Sequence, residues 1–217
     1  MPAQRLTVDV IPIGRFDVIG IDVEAQANFV KHVGLAAEAV PVSSAGPPLK
    51  LIEMMPPLAR DAPPTTPQCS GQIPITVDEE NRINLFIDEQ FEEIESANMR
   101  KFFDGYIVLP HTAPVFEVDG TLVFRKYSCA GLVVEAYRAT DLDLIVTDDT
   151  LPLIALDVLR VAYPEVRSER VRTIVGLTGE GPWPVLLPGY VIHALKRPSE
   201  EIRRVPYRPK VGDEIFS

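Results

Sequence analysis

Residues 126–140 read KYSCAGLVVEAYRAT. Ser128 is a residue type that caps helices, and Leu132, Val133, Ala136 and Tyr137 recur at the spacing of one helical face. The stretch therefore predicts a turn followed by an amphipathic helix, with Cys129 at its start. At that position a cysteine is a small buried residue, half of a disulfide, or a nucleophile. The positive end of the peptide dipoles favours thiolate over thiol there. Unpaired N–H groups of the first turn can also hold an oxyanion beside the sulfur, and Gly131 permits close approach. A lone cysteine is nevertheless more often a buried structural residue, so the reading depends on what the rest of the chain supplies.

Upstream, QRLTVDVIPIGRFDVIGID alternates apolar and polar residues around a glycine and predicts two short strands. ANFVKHVGLAAEAV predicts a further strand with His32 near its start, VSSAGPP a turn, and LKLIEMM a strand ended by Pro56 and Pro57. Residues 56–74 are rich in proline and predict a loop or an embellishment rather than core. INLFIDEQFEEIESANMRKFF changes to helical spacing through Phe91, Ile94, Asn98 and Phe102, with Asp88 as cap. GYIVLPHTAPVFEVDGTLVFRKY predicts a hairpin turning at Asp119-Gly120. After the cysteine helix, Thr150 and Pro152 predict the start of another helix through Leu153, Leu156 and Leu159. TIVGL, VLLPGYVIHAL and DEIF read as short strands. Strands and helices do not alternate regularly, which predicts an α+β fold: an antiparallel sheet with helices packed against it. No internal repeat or linker breaks the chain, so residues 1–217 are expected to form one domain, with an insertion around 61–120.

The composition is that of a globular protein, 46% apolar and 24% charged. A net charge of −10 argues against a nucleic-acid partner, which requires a clustered basic face. No apolar run is long enough for a membrane helix and no secretory signal is visible, so a cytoplasmic protein without a transmembrane segment is expected. Two cysteines are too few for a disulfide framework, although one Cys69–Cys129 bridge is open. Glycine-rich phosphate and dinucleotide loops are missing, and no histidine has a partner at i+4, so neither a cofactor nor a metal is expected.

A cysteine nucleophile needs a base and a group that orients the base. His32 stands at the start of a strand. Glu53 lies among Leu51, Ile52, Met54 and Met55, where a carboxylate is costly to bury without a partner. The alternatives are a surface-facing Glu53 and a core or surface His32. His193, downstream in LLPGYVIHAL, is the competing base, and His111 in LPHTAP is the third histidine.

With these residues in place, RFDVIGID, FVKHVGLAAE, LKLIEMMPPLARD and KYSCAGLVVEAYRAT together resemble the circularly permuted papain-like hydrolases of the NlpC type, in particular the YiiX-like bacterial group. In unpermuted relatives the cysteine helix precedes the histidine strand; here the histidine strand comes first. The resemblance covers roughly residues 14–60 and 120–140. It implies a papain-like core, Cys129 as nucleophile, His32 as general base, Glu53 as the residue orienting His32, and Tyr127 as a substrate contact. It also implies a cysteine peptidase or amidase acting on a small peptide, a cell-wall-like peptide or an acyl-amide. The departures are Phe16 before Asp17 where the family favours glycine, Ala130 where serine is common, and a long proline-rich stretch between Glu53 and Cys129. A catalytically silent binding protein on the same scaffold is the alternative reading.

Overall fold

The strands expected around RFDVIGID, KHVGLAAE and LKLIEMM lie side by side in the middle of a six-stranded antiparallel sheet. The computed structural model describes residues 4–5, 12–21, 29–41, 48–55, 57–63, 67–97 and 103–213. In chain order the sheet contains β1 (Gln4–Arg5), β2 (Val18–Ile21), β3 (His32–Ala36), β4 (Leu51–Met54), β5 (Leu58–Ala62) and β6 (Pro67–Gly71), arranged β1-β6-β2-β3-β4-β5. There follow α1 (Val77–Ser96), a hairpin of β7 (Thr112–Phe116) and β8 (Leu122–Tyr127), and α2 (Cys129–Arg138). The remainder contains β9 (Leu153–Ile154), α3 (Leu156–Ala162), a single 3-10 turn (Pro164–Arg167), α4 (Glu169–Ile174), β10 (Trp183–Pro184), α5 (Pro188–Lys196) and α6 (Ser199–Arg204).

Strand alternation divides the apolar residues between two cores. Val18, Val33, Leu35, Ile52, Met54 and Cys69 join the larger one, which contains α2 and α5. Ile13, Ile19, Ile21, Ala36 and Leu51 form a second cluster. The helix α2 is buried nearly all round, from Cys129 through Tyr137 with Glu135 half-buried, so it is a central rather than a surface helix. The Tyr137 hydroxyl donates to Phe16 O at 2.9 Å and ties α2 to the turn before β2.

Several expectations are corrected. Residues 56–74 are not a loop: they supply β5 and β6, and β6 is an inner strand between β1 and β2. Small residues explain its place, since a Cβ on Gly71 would meet Leu195 Cβ of α5 at 2.8 Å. The long helix begins at Val77 rather than near Asp88, because Thr76 and Glu79 form a reciprocal capping box. The segment VLLPGYVIHAL is helical: Pro188 occupies the first turn of α5, and Tyr190, Val191, Ala194 and Leu195 share its buried side. A short apolar run does not by itself separate strand from buried helix. The Thr150 N–H bonds Asp148 Oδ1 at 2.9 Å instead of opening a helix, and α3 starts only at Leu156. TIVGL falls largely on the end of α4 and the turn at Gly176, whose φ is +86°. VSSAGPP and DEIF lie almost wholly outside the described residues. The hairpin forms as expected, with Gly120 at φ +88° between its strands. The stretch 61–120 thus contributes to the sheet, to α1 and to the hairpin that leads into α2. Among the described residues no helix is long and apolar enough to cross a membrane.

Candidate active site

Ser128 is the N-cap of α2: its backbone is extended and its Oγ accepts the Gly131 N–H at 2.9 Å. Cys129 is therefore the first residue of the helix, where the peptide dipoles favour a negative sulfur. It is 1% exposed. Neither Cys129 nor Cys69 is bridged; Cys69 faces the α5 side of β6, close to Gly20.

His32 and Glu53 come from neighbouring strands. Leu35 pairs with Ile52 and Ala36 with Leu51, and that register continues to set Glu53 opposite Gly34. A Cβ on Gly34 would stand 3.1 Å from Glu53 Cβ, so the glycine leaves the room in which the carboxylate turns towards His32. His32 Nε2 and Glu53 Oε2 are 3.0 Å apart, and both side chains are shielded from solvent. With Nε2 beside Glu53, Nδ1 is the ring nitrogen left for the Cys129 sulfur, with which His32 shares a hydrogen bond.

The three groups shift one another's protonation. Burial disfavours the charged imidazole, but the Cys129 sulfur and then Glu53 outweigh it and push His32 up to about 10. Burial likewise raises the Cys129 thiol. The His32 charge, its hydrogen bond, the Val33 N–H and Tyr163 more than offset this, and the net shift is downward. Both shifts favour a thiolate–imidazolium pair in a dry site, with Glu53 behind the ring.

The remaining predicted positions lie elsewhere. Tyr127 is buried, donates to Gln90 Oε1 at 2.8 Å and packs edge-on to Phe86. It anchors β8 to α1. His193 is on α5, and His111 pairs with Glu135.

Two tyrosines beside the sulfur escaped the sequence reading. Burial first, and then the Cys129 charge, hold the Tyr106 and Tyr163 hydroxyls protonated, and Glu165 adds to both effects. Tyr163 Oη is buried with no formed hydrogen bond. It is nevertheless close enough to the sulfur to favour the thiolate, so the contact is one of loose geometry rather than none. Tyr163 lies between α3 and the 3-10 turn, in a segment (VAYPEV) without any catalytic signature. Only the folded chain brings it to Cys129. Among the described residues no cluster of three or more histidine, cysteine, aspartate or glutamate side chains is arranged to hold a metal.

Comparison of the chain with protein-family models, with curated proteins and with solved structures finds no match.

Proposed function

We propose that the protein is a cysteine hydrolase, a peptidase or amidase, with a papain-like core of the NlpC type in permuted order. The observation that carries this reading is the chain of contacts from Cys129, at the start of α2, to His32 and on to Glu53. The order along the chain, with the histidine and glutamate strands before the cysteine helix, agrees with the permuted resemblance.

In this mechanism the Cys129 thiolate attacks the carbonyl carbon of a small peptide or acyl-amide. The C–S bond forms and the carbonyl electron pair moves to oxygen. First-turn N–H groups of α2 and the Tyr163 hydroxyl are the donors available to that oxyanion. Collapse breaks the C–N bond, and His32 gives its Nδ1 proton to the leaving nitrogen. The neutral imidazole then takes a proton from water as the water attacks the thioester. Cleavage of the C–S bond releases the acid and restores the ion pair. Glu53 fixes the ring and stabilises its charged form throughout.

Assay against a panel of peptide and acyl amides tests the reading. Turnover by the wild-type protein and its loss in Cys129→Ala, with the circular dichroism spectrum unchanged, are expected. Full activity in that variant overturns the nucleophile. The near-complete burial of the sulfur favours one other reading, a silent binding scaffold. A Cys129 that alkylates at pH 7 no faster than free cysteine supports the scaffold.

A further inference from the structure

His111 belongs to neither the hydrolase site nor the sheet, yet it touches the cysteine helix twice. Its carbonyl accepts the Ser128 N–H at 2.9 Å, at the cap of α2. Its ring Nε2 lies 3.1 Å from Glu135 Oε1, well along the same helix. We infer that His111 is a positioning residue for Cys129, clamping α2 at its cap and at Glu135 so that the sulfur is held against β3. The inference rests on the hydrolase reading given above.

The packing around this clamp leaves little freedom. A Cβ on Gly131 would stand 2.1 Å from His111 O, so the carbonyl lies directly against the first helical turn. The Thr112–Tyr127 pair of the hairpin holds the backbone just beyond His111. At the other end, Glu135 is also bound by Arg138, which reaches Asp143 Oδ1 at 2.8 Å and Thr147 Oγ1 at 3.2 Å. The ring contact therefore ends a chain that fixes Glu135 before His111 meets it. His111 and Glu135 side chains are 12% and 19% exposed, so water is a poor substitute for the lost partner. The sulfur must meet His32 Nδ1 and the Val33 N–H, both on β3, whereas the clamp comes from the hairpin side. A helix held at its cap by the His111 carbonyl but released at Glu135 can tilt about that point and turn the sulfur away from both.

The readout is iodoacetamide alkylation of Cys129 as a function of pH, which needs no substrate, measured in a background where Cys69 is Ala. His111→Ala is expected to slow alkylation at pH 7 roughly five- to tenfold, the factor one lost hydrogen bond corresponds to, and to move the pH midpoint upward. His111→Gln, whose amide nitrogen can occupy the Nε2 place, is expected to restore both. Glu135→Ala removes the same ring contact together with the Arg138 ion pair, and is expected to reproduce the loss if His111→Ala does not fold. Lower thermal stability with unchanged alkylation in His111→Ala or Glu135→Ala overturns the inference, as does a loss that His111→Gln leaves in place. A wild-type Cys129 without enhanced reactivity sinks the hydrolase reading instead, so the two failures are distinct.

Discussion

His32 Nε2 stands 3.0 Å from Glu53 Oε2, and this bond decides which ring nitrogen faces the cysteine. Nδ1 is left for the sulfur, and the imidazole is held charged from both sides. Removing the imidazole in His32→Ala takes away the largest group that lowers the Cys129 pKa, and burial then dominates. The thiol is expected to titrate above its usual range. Alkylation at pH 7 should fall at least about tenfold and recover at alkaline pH, because the reactive thiolate fraction falls in proportion as the proton is held more tightly. Thiolate absorbance against pH checks the assignment; an unshifted midpoint rejects it.

The same pair shapes stability against pH. His32, raised from 6.5 to about 10, contributes stability that is full below 6.5 and is lost as pH rises through the folded value. Cys129, lowered from 9.0, contributes stability that is present above 9.0 and is lost as pH falls through its folded value. Where the folded thiolate is formed, up to 9.0, the two slopes cancel. The folded pair holds its one proton on the imidazole, whereas the unfolded chain holds it on the thiol. Denaturant unfolding is expected to show no net slope from this pair across that window, and a decline above 9.0. In the Cys129→Ala protein the cancellation is gone, so a pH dependence identical to wild type from 6.5 to about 10 contradicts the coupling.

Asp17 should behave in the opposite sense to an ion-paired carboxylate. Burial raises it from 3.8 to about 6, against the Gly14 N–H and Gln72 hydrogen bonds that favour its charge. Its contribution is full below 3.8 and lost as pH rises through about 6, so the ionised form costs stability at neutral pH. An asparagine keeps an acceptor for both donors and carries no charge. Asp17→Asn is expected to stabilise the protein by roughly 1–3 kcal/mol at pH 7.5 relative to its effect at pH 4, since each tenfold change in proton affinity is worth about 1.4 kcal/mol. Equal effects at the two pH values count against a buried, raised carboxyl.

What was legible in the sequence follows from how local each signal is. β2, β3, β4, the hairpin and α2 announce themselves through alternation, a turn dipeptide and a cap, all within a few residues. Cys129, His32 and Glu53 were legible because each sits on one of those elements. Tyr163 was not, because its role comes from the packing of the α3 region over Cys129 rather than from any neighbouring residue. The inner position of β6 was hidden for a related reason. Its small residues look like loop until Leu195 is seen lying over Gly71. Helix α5 was misread because its apolar run is buried, and burial erases the polar face that marks helical period.

Gly131 offers a test in which local and tertiary effects have opposite signs. Alanine favours a helix interior over glycine by about 1 kcal/mol, so an isolated α2 would gain from Gly131→Ala. In the folded protein the new Cβ meets His111 O, a backbone atom, at 2.1 Å. Overpacking of this kind costs about 1–3 kcal/mol or more, and the backbone cannot rotate away as a side chain can. Net destabilisation is expected from denaturant unfolding; a stabilised Gly131→Ala protein would show that the His111 carbonyl does not lie against the helix.

Tyr163→Phe separates stability from chemistry most cleanly. The phenol oxygen is buried and makes no well-formed hydrogen bond, so phenylalanine, which keeps the ring and removes that oxygen, gives up little packing or bonding. The variant is therefore expected to be as stable as wild type or more so. The same oxygen favours the thiolate and is a donor available to the oxyanion, a contribution that is worth about a hundredfold or more when such a donor is lost. Turnover should fall by roughly a hundredfold or more while the melting temperature holds or rises, with kcat affected more than KM because the oxyanion exists only beyond the ground state. A structural tyrosine would give the reverse pattern, lower stability with unchanged kcat. That outcome would leave the oxyanion to the α2 backbone alone.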